Sequence, residues 1–568
     1  MITLNNINLS SIDLSGIDLR GIKLGLGGRD GGSGDGFPQL PGDVTRWHFG
    51  GLTNEMMAAM DDPRLEDADG KGRFLSFKNF AWSGMSGVGG YVDNWNSSAD
   101  WNINNYWVNS HTDHKLQFIT ASTVVQARSN NIYNAENVYK NILNVNGLTE
   151  AVNKGSVGGL RIRATDPITS KAIKTFSFET DGVIQISFDD VLQDYYVDYL
   201  LYGSDTKDID ITIEQLPLYP GALVFDGVDD YGTCDNFPVL TKEKGYTVVA
   251  LRSYLAESIG YLVYNGTNAK QSAFAFERSD SLDTWSWGKN SSIRNSLPKL
   301  MSYQTSNSYN NNIISTGTAI EGDKLIRIAS SGGYCNVAIW ELVFLDHDAT
   351  EEELTKIKDY FIKTYPWLFP DQAWTVTGKT NEDEDRATIA NITGNGNDLV
   401  LSNFGFAEGS GYNEEGEYAG YLVTDGVDDK VQSSSFTMNE DWTIVGDWEL
   451  LSNVQINCGI VKSQNVYLYN TANGLLISIN NPRSLQSFGT KSLHAICSDG
   501  RLYDRNWVEY EYTADQNFEI VKSSLNIGFN LNNYTQIAFK NLGIYNNQLL
   551  SKDDCIKAYN YLQTLKAK

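Results

Sequence analysis

The stretch ALVFDGVDDYGT (222–233) returns as YLVTDGVDDKVQ (421–432), with D-G-V-D-D identical and an aliphatic run ahead of each copy. Three readings compete: a metal site, a catalytic carboxylate cluster, or a turn that one fold uses twice. Calcium is the cation such acids would take, because hard cations gather carboxylate and carbonyl oxygens. Asp226 with Asp229, and Asp425 with Asp428, are the candidate ligands. The further acids at regular spacing and the closing Glu of an EF-hand are missing from both copies. In the competing reading Gly227 and Gly426 supply backbone angles that other residues avoid, and the aspartates bond nearby amides. The turn is the better supported of the three.

The repeat also serves as a ruler. GKGRFLSFKNF (70–80) parallels GNGNDLVLSNF (394–404), with Gly70/Gly394, Leu75/Leu399 and Phe80/Phe404 at a constant offset of 394 − 70 = 324. The acidic fragment has an offset of 425 − 226 = 199, and the two offsets differ by 324 − 199 = 125. An extra unit of that size inside the first copy accounts for the difference. Loop tips of rigid folds accept such insertions. Within the gap, GGLRIRATD, KTFSFETDGVIQISF and DIDITIEQL alternate as strands do. Both copies end on a strand and a helix, the helices opened by Thr350 with Glu353 and by Ser551 with Asp554. The expected layout is an arm over 1–24, a Gly-rich linker over 25–43, a first sandwich over 44–91 plus 219–366, an inserted β-sandwich over 92–218, and a second sandwich over 367–568.

The 568 residues are rich in aromatic side chains and carry a net charge of −26. Such a surface repels phosphate backbones and anionic lipids, so nucleic acid and membrane insertion are not expected; neutral glycans and protein surfaces suit it better. Five scattered cysteines without a C-x-x-C pair read as buried free thiols of a protein folded in a reducing cytoplasm. The start, MITLNNINLSSIDLSG, has neither a basic head nor a continuous apolar run and does not read as a signal peptide. Its Ile and Leu recur every five residues over INLSSIDLSGIDLRGIKLGL (7–26), like a pentapeptide-repeat coil too short to bury a core alone. That suggests an attachment arm ordered against a partner.

Taken together, TGNGNDL (393–399), TDGVDDKV (424–431), WTIV (442–445), LHAICSDGRLY (493–503) and NLGIYNNQLLS (541–551) resemble the laminin-G or concanavalin A-like jelly-roll family. The central copy shows FDGVDDYG (225–232) and NVAIWELVFLDHDATEEEL (336–354) but lacks a clear partner for SDGRLY. The resemblance implies a mostly β fold of two concanavalin A-like sandwiches, with glycan or protein ligands at a sandwich edge or on the concave sheet. The arrangement of arm, linker and tandem lectin-like domains also resembles fibre or appendage proteins of Bacteroides-type (crAss-like) phages. That second resemblance implies a virion structural protein, a tail or head fibre made in the host cytoplasm. Its partners would be other virion proteins, through the arm, and host surface glycan. It would form a homo-oligomer, a trimer being one such form. A bacterial surface carbohydrate-binding protein and a capsule depolymerase are the alternatives.

Glycan sites pair aromatic plates with polar side chains. DTWSWGKNSS (283–292) offers Trp285 and Trp287 on one face of a strand, and YDRNWVEYEY (503–512) offers Trp507 and Tyr510. A glycoside hydrolase needs two facing carboxylates. The acids of TNEDEDRATI (380–389) alternate suitably but sit in a polar segment that reads as a solvated loop. No catalytic residue and no obligatory cofactor is assigned. HTDH (111–114) reads as a surface pair, its spacing of three falling short of a helical metal motif.

Overall fold

A computed structural model describes residues 29–30, 32–33 and 36–567, apart from 105–107, 121–125, 136, 189–190, 204–206, 257, 268–271, 279–282, 293–299, 319–321, 331, 415, 417, 452–458, 463–465, 472–473, 480–485, 489–492, 512–520, 528, 531–532 and 535. The arm expected over 1–24 lies outside the described residues. The chain is mostly β: two pairs of 8-stranded sheets and one pair of 5-stranded sheets account for nearly all its strands. No helix among the described residues is long and apolar enough to cross a membrane.

In the first sandwich, strands from both sides of the 125-residue gap share sheets. Val44–His48 pairs with Asn336–Leu345, Phe74–Lys78 with Tyr231–Cys234, and Gly87–Val88 with Leu223–Asp226. The strand Asn336–Leu345 is apolar along its length because both its faces are covered. Val337, Ile339, Leu342 and Phe344 enter the core between the sheets, while Ala338, Trp340, Val343 and Leu345 enter a second cluster behind. The inward set changes from odd to even numbers at Trp340, where Leu251 opposes Glu341 and Arg252 opposes Ile339. One extra residue there is a β-bulge. The second sandwich repeats it: Asp447 opposes Asn541, Trp448 opposes Phe539, and Lys540 is the extra residue.

Residues 101–215 form the two 5-stranded sheets around a core of Trp95, Trp101, Phe118, Leu143, Ile162 and Tyr199. Strands Lys140–Asn146 and Gly182–Ser187 lie in the sheet that faces the other sandwiches: Ile142 joins the shared apolar cluster, Val183 packs on it, and the Tyr559 hydroxyl donates to Gln185. That shared cluster also holds the helices Glu351–Thr364 and Lys552–Gln563 through Ile357, Phe361, Cys555 and Tyr559. Thr350 and Glu353 close a full capping box on the first helix, and the Ser551 hydroxyl accepts from the Asp554 amide on the second. Cys234, Cys335, Cys497 and Cys555 are buried thiols in no disulfide; Cys458 is outside the described residues.

Candidate functional site

The two acidic fragments take the same local form. Gly227 and Gly426 have φ of 79° and 74°. Asp226 Oδ1 accepts from the amides of Val228 (2.7 Å) and Asp229 (3.4 Å), and Asp425 Oδ1 accepts from Val427 (2.7 Å) and Asp428 (3.2 Å). These are Asx turns, as the glycine and aspartate chemistry demands. The third aspartate ties each turn to its surroundings. Asp230 accepts from the Asp226 amide and the Ser86 hydroxyl, and Asp429 from the Asp425 amide and the Ser410 hydroxyl. Asn79 and Asn403, both with positive φ, donate to the carbonyls of Asp229 and Asp428. Burial pushes Asp230 up to about 7 and Asp429 up to about 6. Three carboxylates in each turn could offer a ligand atom to one cation, within 4.8 Å of one another. In each turn one oxygen of the first aspartate and both oxygens of the third are already engaged with amides and hydroxyls.

The four aromatic candidates separate. Trp287 is 1% exposed, inside the first core and edge-on to Tyr246 at 5.5 Å. It does not share a face with Trp285, because the strand Thr284–Ser286 has ended and Trp287 turns with φ of 49°. Trp507 is 3% exposed and also turns, with φ of 58°. It packs on His494 (5.5 Å) and Tyr559 (5.7 Å) in the shared cluster. Tyr510 is half-buried against the second core and donates to Asp504 at 3.3 Å. Trp285 alone belongs to an outward-facing group. Its neighbours Thr284 and Ser286 are fully buried, while its own ring joins Tyr261 and Tyr264 in a small cluster separate from the core.

Strand register builds that group into a row. Asn290 opposes Trp285, Trp285 opposes Ala275, Ala275 opposes Tyr264, Tyr264 opposes Arg327, and Arg327 opposes Thr233. The row crosses the sheet of the first sandwich on the face away from its core. The Trp285 indole N–H donates to the Tyr261 hydroxyl at 2.6 Å, which fixes the ring plane. Arg327 Nε is buried without a hydrogen-bond partner. An aromatic plate beside the Asn290 amide suits a pyranose, whose C–H face stacks on a ring and whose hydroxyls meet planar donors. Arg327 lies three strands further on, ~14 Å away, beyond the buried Ala275 and Tyr264. Nothing in the spacing of Tyr261, Tyr264 and Arg327 relative to Trp285 marks them out, since only the pairing of four strands brings them together.

Two of the alternating acids of 380–389 have local partners. Asp383 accepts from the Thr380 amide (3.0 Å) and hydroxyl (2.9 Å), and Asp385 pairs with Lys379 at 2.6 Å. At 111–114, His114 rather than the histidine pair is the organised group. It meets Asp113 at 2.7 Å and stacks on Tyr91 at 4.7 Å, and with Glu55 these could also hold a cation. Burial works against charge on His114, but Asp113 outweighs it and raises the imidazole above its ordinary value.

No protein-family model and no curated protein matches this chain. Solved structures similar in part include a Trypanosoma rangeli sialidase in complex with sialic acid, at 10% identity over 86% of this chain and 91% of that one, TM-score 0.26. The botulinum neurotoxin serotype D binding domain aligns at 11% identity over 58% of this chain and 89% of its own, TM-score 0.24. A truncated AlyQ with CBM32 and alginate lyase domains aligns at 11% identity over 58% and 92%, TM-score 0.18. Scores this low carry no argument, so fold and function rest on the chain's own strands and side chains.

Proposed function

We propose that this chain is a virion appendage of the fibre or spike type, with lectin-like sandwiches that meet host glycan. Arm 1–24 docks on the particle, linker 25–43 gives reach, and sandwich 92–218 interrupts the first of two lectin-like units over 44–366 and 367–568. The observation that carries the glycan part is the half-buried Trp285 ring on the outer face, held by the Tyr261 hydroxyl and set beside the exposed Asn290. Repeated copies on one particle would turn weak contacts into avidity. The reading needs no cofactor; the acidic turns enter it as ties between strands. Catalysis is left out of it: Asp383 is engaged with Thr380 and Asp385 with Lys379.

Two experiments test the two halves. Immunogold labelling with antibody to this chain is expected to decorate particles, and unlabelled particles would end the virion reading. Purified protein is expected to bind host polysaccharide in a pull-down, with Trp285→Ala reducing binding at least tenfold. Equal binding by the variant would remove the row from the site. New reducing ends in the same incubation would instead identify a depolymerase.

A further inference from the structure

The inserted sandwich contains three arginines, Arg128, Arg161 and Arg163, and strand register puts all of them on one outer face. In the strand Tyr196–Tyr202, Val197, Tyr199 and Leu201 enter the core, so Tyr196, Asp198, Leu200 and Tyr202 point out. Arg128 and Arg163 flank Asp198 from the two neighbouring strands, and Arg161 opposes Leu200. The Asp198 carboxylate is buried and holds both guanidinium groups: Arg128 Nε at 2.7 Å and Arg163 Nη2 at 3.1 Å, with the Thr165 hydroxyl at 2.8 Å. Arg128 lies over the Tyr196 ring at 4.1 Å and Arg161 over the Tyr202 ring at 4.0 Å.

Several features make this face more than a solvated patch. One carboxylate is shared by two of the three guanidinium groups, and the third, on Arg161, lies over the Tyr202 ring, on a protein of net charge −26. Arg161 has no ion-pair partner among the described residues. Arg163 Nε is buried with no hydrogen bond. Side-chain exposures of 35% for Arg128 and 23% for Arg163 leave donors open to solvent. The side chains stand on strands, so flanking residues two strands apart sit ~10 Å from each other in a fixed frame. The opposite sheet of this sandwich is the one that packs on the other domains, so the arginine face looks away from them.

We propose that this face binds a carboxylate-bearing polysaccharide. Guanidinium forks match carboxylates in plane, and the exposed Tyr202 beside Arg161 offers apolar ring surface for the sugar carbons. Spaced charges on rigid strands fit a polymer with one carboxylate per sugar or per pair of sugars. The proposal takes its ligand class from the glycan reading above, but uses a different face from the Trp285 row.

The test measures binding of the full-length protein to immobilised polygalacturonate, alginate, hyaluronan and polysialic acid. Fully methyl-esterified polygalacturonate and poly-L-glutamate serve as controls. Binding to at least one acidic polysaccharide is expected, falling with added salt and absent on the ester. Arg161→Ala should weaken it at least tenfold, whereas Lys154→Ala, off this face, should leave it unchanged. No binding to any of the four, equal binding to the ester, or equal effects of the two variants would overturn the proposal. Equal binding to poly-L-glutamate would also overturn it, in favour of an acidic protein partner. If host polysaccharide binding still depends on Trp285 while the acidic arm fails, only this proposal falls; if both fail, the glycan reading falls with it.

Discussion

Replacing Arg252 by Met would test how the first sandwich tolerates charge in its interior. Arg252 and Glu277 come from opposite sheets and are both fully buried, joined at 2.8 Å and 2.7 Å. The Tyr309 and Tyr254 hydroxyls donate to the same carboxylate at 2.7 Å and 3.1 Å. Burial pushes the Glu277 carboxyl up, but the charge and hydrogen bonds of Arg252 outweigh it and hold the group below its ordinary range. Removing one partner of a buried pair leaves an uncompensated charge, at a cost of about 3–5 kcal/mol. For a unit of roughly 200 residues that lowers Tm by about 6–20 °C. The pH dependence should also invert. In the parent protein the pair stabilises above the unfolded carboxyl pKa, and this is lost as pH falls through the depressed folded value. In Arg252→Met the folded carboxyl titrates above its unfolded value, so stability should fall as pH rises. Thermal and urea unfolding followed by tryptophan fluorescence from pH 4 to 8 reads both effects. Arg252→Met with Glu277→Leu should lose less than the single variant. A loss below about 1 kcal/mol for the single variant, or a double variant equally damaged, would refute this account of the pair.

Other substitutions address the turns and caps. Asp230 and Asp429 titrate above their unfolded values, so the folded chain holds protons that the unfolded chain has released. Stability should therefore decline as pH rises from about 4 towards about 7, and Asp230→Asn should flatten part of that slope in melts across the range. Gly227→Ala should cost more than Gly426→Ala, within about 1–3 kcal/mol, as measured by urea midpoints. A Cβ on Gly227 would lie 2.8 Å from the Asn336 Cβ, whereas on Gly426 its nearest contact is the Gln536 nitrogen at 3.1 Å. Thr350→Ala removes the hydroxyl that accepts from Glu353 and should lower stability by about 1 kcal/mol, with Thr350→Ser restoring most of it.

The mostly β architecture was legible because each long central strand is written as a nearly unbroken apolar run, NVAIWELVFL and IAFKNLGIYN. The acidic pentapeptide was legible as a turn because glycine and aspartate have few other uses in that order. Sequence could not show the bulges at Trp340 and Lys540, since an extra residue changes which side a side chain faces without altering composition. The same limit explains Trp287, which two-residue alternation sets beside Trp285 but a positive φ carries into the core. Glu277 is a similar case: at φ of 50° it leaves the outer face that its spacing from Phe276 suggests and reaches Arg252. The arginine face depends on pairing between strands some 35 and 70 residues apart, which local spacing cannot reveal.

The helices Glu351–Thr364 and Lys552–Gln563 share one apolar cluster with both large sandwiches and the inserted one. The modules are therefore not beads on a string. Cut after residue 366, the C-terminal piece would keep Trp507 packed on His494 and Tyr559 but lose the Tyr559 contact with Gln185 and the partners of its share of the common cluster, and apolar surface uncovered in this way invites self-association. Load placed on any one sandwich would be shared by the block that this cluster joins.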